Sequence, residues 1–326
     1  MDEFELISRI THNTYNRKEV KVGVGDDAAI YSARTEFNEI VCVDTMVEGI
    51  HFLTHFSSPS EIGYKALAIN ISDIAAMGGI PKYYLVSLAI PSTWREEQID
   101  EMYGGMKDLA KLYHMDLLGG DTVSTEDKLI ITVTAIGEIE KGKACLRSYA
   151  RPGDTVFVTG YLGSSAAGLS LLYKECKIES DALRQYFLQR HKKPVPRVDV
   201  GLICSRYGRV ALNDISDGLS SELNEIAEAS NVTIEINKEQ LPVHPELKKL
   251  GSKWEEWVLF GGEDFELAGT IPHEVWDDFY KECEAAKIQV YPIGHVTKQG
   301  VSKVFLNENN HAEILGKKGY NHFKQR

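Results

Sequence analysis

The chain has 326 residues, 43% of them hydrophobic and 26% charged, the balance of a soluble globular protein long enough for two domains. Its 48 acidic against 36 basic residues leave a net charge of −12, which speaks against general affinity for nucleic acid or an anionic membrane. Five scattered cysteines with no CxxC pair speak against a disulfide framework or zinc site, and no apolar stretch approaches bilayer length, so the expected location is the cytoplasm.

Apolar runs of strand length alternate with helical patterns along the chain. In order, the pattern predicts a strand over Ile40–Val43, a helix over Glu61–Met77, a strand over Tyr84–Ile90 and a helix over Arg95–Tyr113. Strands follow over Leu129–Gly137 and Thr155–Thr159, then a helix over Ala166–Glu175 and a strand over Val210–Asn213. The remainder reads as a helix over Leu219–Ala229, a strand over Thr233–Ile236, a helix over His273–Ala286 and a strand over Ile288–Ile293. Tyr149–Asp154, reading YARPGD, is punctuated by Pro and Gly and sets the expected boundary between domains over 1–148 and 149–326.

One feature recurs: an apolar run ends and a carboxylate follows beside Gly, Ser or Thr. GVGDDAAI carries Asp26 and Asp27, IVCVDTMVEGIHF carries Asp44, and LLGGDT carries Asp121 behind Gly119 and Gly120. ALNDISDGL carries Asp214 and Asp217 around Ser216, and LFGGEDFEL carries Glu263 and Asp264. Hard cations such as Mg²⁺ take carboxylate, water and phosphate oxygens, and adjacent glycines let a phosphate approach backbone N–H groups. Any one such turn is an ordinary turn or helix cap; five in one chain suggest metal–phosphate chemistry.

The helix predicted over Glu61–Met77 adds Asn70 and Asp73, three apart and so on one face, among Ala, Leu, Ile and Met. A carboxylate in that setting is costly unless hydrogen-bonded or bound to metal. No Walker-type GxxxxGK[ST] occurs. VTGYLGSSAAGL (Val158–Leu169) has the order of a phosphate loop without its lysine and reads as helix packing, while RHKKPVPR (Arg190–Arg197) reads as a phosphate-facing run or a solvated turn.

Taken in order, GVGDDAAI, VDTMVEGIHF, YKALAINISDIAAMGG, LLGGDT, LRSYARPGD, VTGYLGSSAAGL, HKKPVPR, NDISDGLSSEL, GGEDFEL and KGYNHF resemble the thiamine-monophosphate kinase family, within the superfamily that includes aminoimidazole ribonucleotide synthetase. The resemblance implies a two-domain fold of that superfamily: an N-terminal α/β domain forming a barrel-like interface in a homodimer, and an α+β C-terminal domain completing a cleft. It implies that Asp27, Asp44, Asp73, Asp121, Asp214 and Asp217 hold several Mg²⁺ ions. Gly120, Asp121, Arg147 and Ser216 would contact ATP, with Tyr103 near the adenine, and His51, Glu263 and Tyr320 would hold thiamine monophosphate.

The implied reaction is in-line transfer from ATP to thiamine monophosphate, the last step of thiamine diphosphate biosynthesis, with no covalent nucleophile or dedicated base. Related activities fit the residues less well. A selenophosphate synthetase wants a reactive Cys near the N-terminus, a hydrogenase-maturation relative wants a C-terminal Cys, and the purine-pathway relative lacks the GIHF and GYNHF pieces. A regulatory relative that binds nucleotide without turnover is disfavoured by the presence of all six carboxylates.

Overall fold

The computed structural model describes residues 15–23, 28–250, 253–309 and 311–320. They divide into two compact units, Met1–Ile74 with Gly79–Lys141, and Ala75–Gly78 with Gly142–Arg326. Among the described residues no helix is long and apolar enough to cross a membrane.

The first unit begins with a small pair of strands, β1 (Val20–Val22) and β2 (Ile30–Tyr31). It continues with β3 (Phe37–Val47), α1 (Pro59–Ala76), β4 (Ile80–Pro91), α2 (Glu96–Tyr113), β5 (Asp116–Thr125) and β6 (Ile130–Glu140). Its sheet runs in the order β3-β6-β4-β5, antiparallel except for β4 beside β5, which α2 joins as a parallel crossover. Along β6, Ile131, Val133 and Ala135 are buried while Thr132, Thr134 and Ile136 between them are only half-buried. This period of two marks a sheet covered on one face. On the other face the edge strand β3 leaves Val41 65% and Val43 59% exposed.

The second unit holds β7 (Thr155–Thr159), α3 (Ser164–Leu172), α4 (Asp181–Lys192), α5 (Val198–Cys204), β8 (Ala211–Asp214), α6 (Leu219–Ser230) and β9 (Val232–Asn237). It closes with α7 (Pro245–Lys248), α8 (Lys253–Phe260), β10 (Leu267–Ile271), α9 (Trp276–Ala285), β11 (Val290–Gln299), β12 (Lys303–Glu308) and β13 (His311–Ile314). The sheet order is β13-β12-β9-β11-β7-β10-β8. All five residues of β7 are buried. Val156 and Val158 face a core with Leu219, Leu223 and Ile226, and Phe157 faces a second core with Phe279, Leu212 and Cys204. A strand covered on both sides reads as a continuous apolar run, as TVFVT does.

The YARPGD turn is anchored rather than loose. Buried Asp154 accepts both terminal nitrogens of Arg209 at 2.6 Å, the Arg151 N–H at 2.9 Å and the Thr270 hydroxyl at 3.3 Å.

Candidate active site

In the first unit the sheet register sets Cys42 opposite Ala135 and Asp44 opposite Val133, so both face the covered side of the sheet. There α1 supplies Asn70 and Asp73. The Cys42 thiol donates to the Asn70 carbonyl at 3.3 Å, and the carboxyls of Asp44 and Asp73 share a side-chain hydrogen bond. Burial pushes the Asp44 carboxyl up, with the Asp73 contact acting the other way. The Cys42 thiol is pushed well up by burial and by Asp73 and Asp44, which keeps it protonated and inert. Two adjacent carboxylates repel unless a proton or a cation lies between them. Their oxygen-only chemistry fits a hard divalent ion.

Asp121 stands elsewhere. β5 bulges between the pairs Tyr84 with Leu117 and Leu85 with Gly119, and beyond the bulge Gly120 lies opposite Val86 and Asp121 opposite Ser87. A Cβ on Gly120 would come within 1.8 Å of the Val86 carbonyl oxygen, so only glycine fits. Val86 pairs with Val133, the residue opposite Asp44, so the register puts Asp44 and Asp121 on opposite faces of this sheet. His51 accepts the Val47 N–H at 3.0 Å through Nδ1, which leaves the ring proton on Nε2. Tyr103 is 9% exposed within this unit, its hydroxyl pushed up by burial and by Tyr84, which gives it a packing role. Asp27 lies outside the described residues.

In the second unit three loops are laced together at the end of β8. The Ile215 N–H donates to the Glu266 carbonyl at 2.7 Å and the Phe265 N–H to the Ile215 carbonyl at 2.9 Å. The Glu263 N–H donates to the Ser216 carbonyl at 2.7 Å and the Tyr320 N–H to the Asp217 carbonyl at 3.3 Å. Glu263 and Phe265 hold left-handed φ of 66° and 49°, a costly conformation for residues with side chains that these cross-bonds sustain. Gly319 permits the approach, since a Cβ there would lie 2.3 Å from the Asp217 carbonyl oxygen. Asp214, Ser216, Asp217, Glu263 and Tyr320 are thereby gathered by backbone geometry, and Arg147 joins them through Asn213, donating from Nε to Oδ1 at 3.0 Å.

Behind the Asp214–Asp217 loop sits Glu222, in the first turn of α6. It accepts the Asp217 N–H at 3.1 Å and the side-chain amide of Asn213. Burial pushes its carboxyl up to about 9, aided by Asp214, Glu225 and Asp217 and opposed by the Asp217 N–H. Glu222 and Asn213 were not among the residues expected from sequence, because SSELNEI reads as a helix with an ordinary acidic face and Asn213 as a strand residue. The one available signal was Glu222 standing one residue before Leu223, on the apolar side of α6.

The acids of GGEDFEL separate by role. Asp264, fully buried, accepts the N–H groups of Gly163 at 2.6 Å and Ser165 at 2.9 Å, so the start of α3 is capped by the chain's own carboxylate. The N–H groups that a phosphate loop would offer at the start of this helix in VTGYLGSSAAGL are thereby taken up by Asp264. Buried Glu266 receives Arg197 Nε and the Thr159 hydroxyl at 2.6 Å each, and also Arg190. The two arginines of RHKKPVPR thus turn onto a buried carboxylate of the chain rather than into solvent. Glu263 alone is partly exposed, 3.4 Å from His191 Nδ1.

Among the described residues, no three His, Cys, Asp or Glu side chains are gathered as a metal site. Mg²⁺ commonly uses one or two carboxylates and completes its shell with water and phosphate oxygens, which the Asp44–Asp73 pair and the Asp214–Asp217 loop fit.

Two family models match, AIR synthase related protein, N-terminal domain, over residues 25–139 and the C-terminal domain of the same family over 151–307. A Bacillus subtilis thiamine-monophosphate kinase is 62% identical over 99% of this chain and 100% of its own length. The chain belongs to the thiamine-monophosphate kinase family. A Stenotrophomonas maltophilia thiamine-monophosphate kinase structure, 32% identical, superposes with a TM-score of 0.84 over 94% of this chain and 97% of that one. The structure of AaThiL complexed with AMPPCP and TMP, 36% identical, superposes with a TM-score of 0.78 over 93% and 92% of the two chains.

Proposed function

We propose that this protein transfers the γ-phosphoryl group of ATP to thiamine monophosphate, releasing thiamine diphosphate and ADP. The observation that carries the reading is the 62% identity with a thiamine-monophosphate kinase along essentially the whole chain. The similar structure complexed with AMPPCP and TMP supports the choice of co-substrates.

In the proposed step a phosphate oxygen of thiamine monophosphate attacks the γ-phosphorus in line. A new P–O bond forms, the bond to the β,γ-bridging oxygen breaks, and its electron pair leaves on ADP. The attacking phosphate is already largely ionised near neutral pH, so no strong base is needed. Positioning and charge are the obstacles, and Mg²⁺, when bound, would neutralise charge between the two phosphate groups. Asp27, Asp44, Asp73, Asp121, Asp214 and Asp217 are the proposed ligands. Gly120, Arg147 and Ser216 are proposed to orient ATP, with the Arg147 terminal nitrogens suited to phosphate oxygens. For Tyr103, burial supports packing over adenine contact. His51, Glu263 and Tyr320 are proposed for the thiamine end, where a carboxylate and an aromatic ring suit a cationic heterocycle.

A homodimer is proposed from the open face of the first unit's sheet. Val41 and Val43 there are exposed, with Leu85, Ala89 and Ile136 on the same face by register. An apolar sheet face of this kind is the type of surface a second copy covers. The cytoplasm is the proposed location. Purified protein incubated with ATP, Mg²⁺ and thiamine monophosphate should form thiamine diphosphate and ADP in equal amounts, and EDTA should stop both. Folded, ATP-binding protein that makes no thiamine diphosphate would reject the reading.

A further inference from the structure

We infer that Asn213 and Glu222 form a buried hydrogen-bond relay that positions the phosphate-orienting Arg147 and the Asp217 loop as one unit, making both of them positioning residues for the reaction. The inference deepens the proposed function and rests on it for the roles of Arg147 and Asp217.

Asn213 is 1% exposed and Glu222 3%. The amide of Asn213 can be oriented only one way. Arginine has donors alone, so the oxygen must face Arg147 Nε, at 3.0 Å, and the nitrogen must face the carboxyls of Glu222 and Glu225, the latter at 3.2 Å. Glu222 then spends its other oxygen on the Asp217 N–H at 3.1 Å. Every link is directional: guanidinium to amide oxygen, amide nitrogen to carboxyl, carboxyl to backbone N–H. Arg147 is held from a second side by Glu225, at 3.0 Å, and Lys317 holds Glu225 at 3.1 Å. A surface arginine fixed at Nε by a buried amide keeps its terminal nitrogens at a set place and angle, which is what recognition of phosphate oxygens requires.

The relay can be broken and restored by swapping donor for acceptor. Glu222→Gln keeps the acceptor for Asp217 but turns an N–H₂ toward the Asn213 amide. The amide must then flip and present donors to Arg147. Asn213→Asp keeps the acceptor for Arg147 but withdraws the N–H₂ that Glu222 and Glu225 accept and sets a second carboxylate against Glu225. The double variant makes both junctions complementary again. The remaining cost is repulsion at Glu225.

The test is a double-mutant cycle read by titration with the ATP analogue AMPPCP and Mg²⁺, by steady-state KM for ATP, and by melting temperature. Each single variant should weaken AMPPCP binding and raise the KM for ATP about tenfold, the effect of a broken buried hydrogen bond to a charged group. The double variant should return both to within about threefold of wild type. Single variants that fold and bind AMPPCP as wild type does would overturn the inference, as would a double variant no better than the worse single. Should a single variant fail to fold, a folded, nucleotide-binding double variant supports the relay and an unfolded one overturns it. Wild-type protein that binds AMPPCP without forming thiamine diphosphate rejects the proposed reaction and leaves the relay to be judged on binding; wild-type protein that binds no AMPPCP overturns both.

Discussion

The two carboxylate clusters are held in opposite ways. Asp44 and Asp73 meet at the face between β3 and α1, with burial acting against the charge on Asp44 and a thiol and an amide alongside. The Asp214–Asp217 loop is braced by Glu222 and Asn213, cross-bonded to two other loops, and answered by Arg147 and Lys317 acting through Glu225. The first arrangement sets two carboxyls against each other and against burial; the second is braced by the chain's own hydrogen bonds and ion pairs. Stability and ligand binding should therefore respond differently to mutation in the two places.

The largest expected effect is on turnover at the first cluster. Asp44→Asn should lower kcat by about 10³-fold, the scale of losing a charge-stabilising element, while the melting temperature holds or rises because a desolvated carboxyl gives way to a neutral amide that can still hydrogen-bond Asp73. A fall in stability matching the loss of activity would break the contrast.

The deepest destabilisation should come from Glu266→Ala, which leaves Arg190 and Arg197 facing a buried gap where their carboxylate was. A loss of about 3–5 kcal/mol in denaturant unfolding is expected, and a loss under ~1 kcal/mol would show the ion-pair network to be incidental.

Asp264→Ala removes the cap of α3 and should cost about 2 kcal/mol, the upper range for such caps. KM for ATP should stay unchanged, since this helix start is taken up by the protein's own carboxylate. A changed KM would return VTGYLGSSAAGL to the list of nucleotide contacts.

The smallest effect is a pH slope. Glu222, at about 9 in the folded protein against an ordinary value of 4.5, keeps a proton that the unfolded chain has released. Its contribution is complete below 4.5 and declines as pH rises toward 9, at up to about 1.4 kcal/mol per pH unit. Metal-free wild type should lose stability from pH 6 to 8.5 with that sign, and Glu222→Gln should flatten the slope; equal slopes would show that Glu222 is not the group responsible.

Much of this was legible in the residues because they repeat a local chemistry. The strand over Thr155–Thr159 has the predicted bounds, since TVFVT is apolar throughout and ends at a glycine turn. Asp73 stood out as a carboxylate in an apolar helix, and it does meet Asp44. Strand β5 was missed because the glycines of DLLGGDT read as a turn, whereas they mark a bulge and a close backbone approach inside a strand. Strand β10 was missed because LAGTI is short and holds a glycine. Helix His273–Ala286 is instead a 3₁₀ turn over His273–Val275 followed by α9. The pairing of Arg190 and Arg197 with Glu266 was hidden for another reason: a separation of about 70 residues leaves no trace in local spacing.

The most direct measurement follows the phosphorus itself. With ATP, thiamine monophosphate and Mg²⁺, ³¹P NMR should show the coupled signals of thiamine diphosphate rising as ATP falls, matched by ADP. Inorganic phosphate growing in their place, with thiamine monophosphate unchanged, would contradict the account.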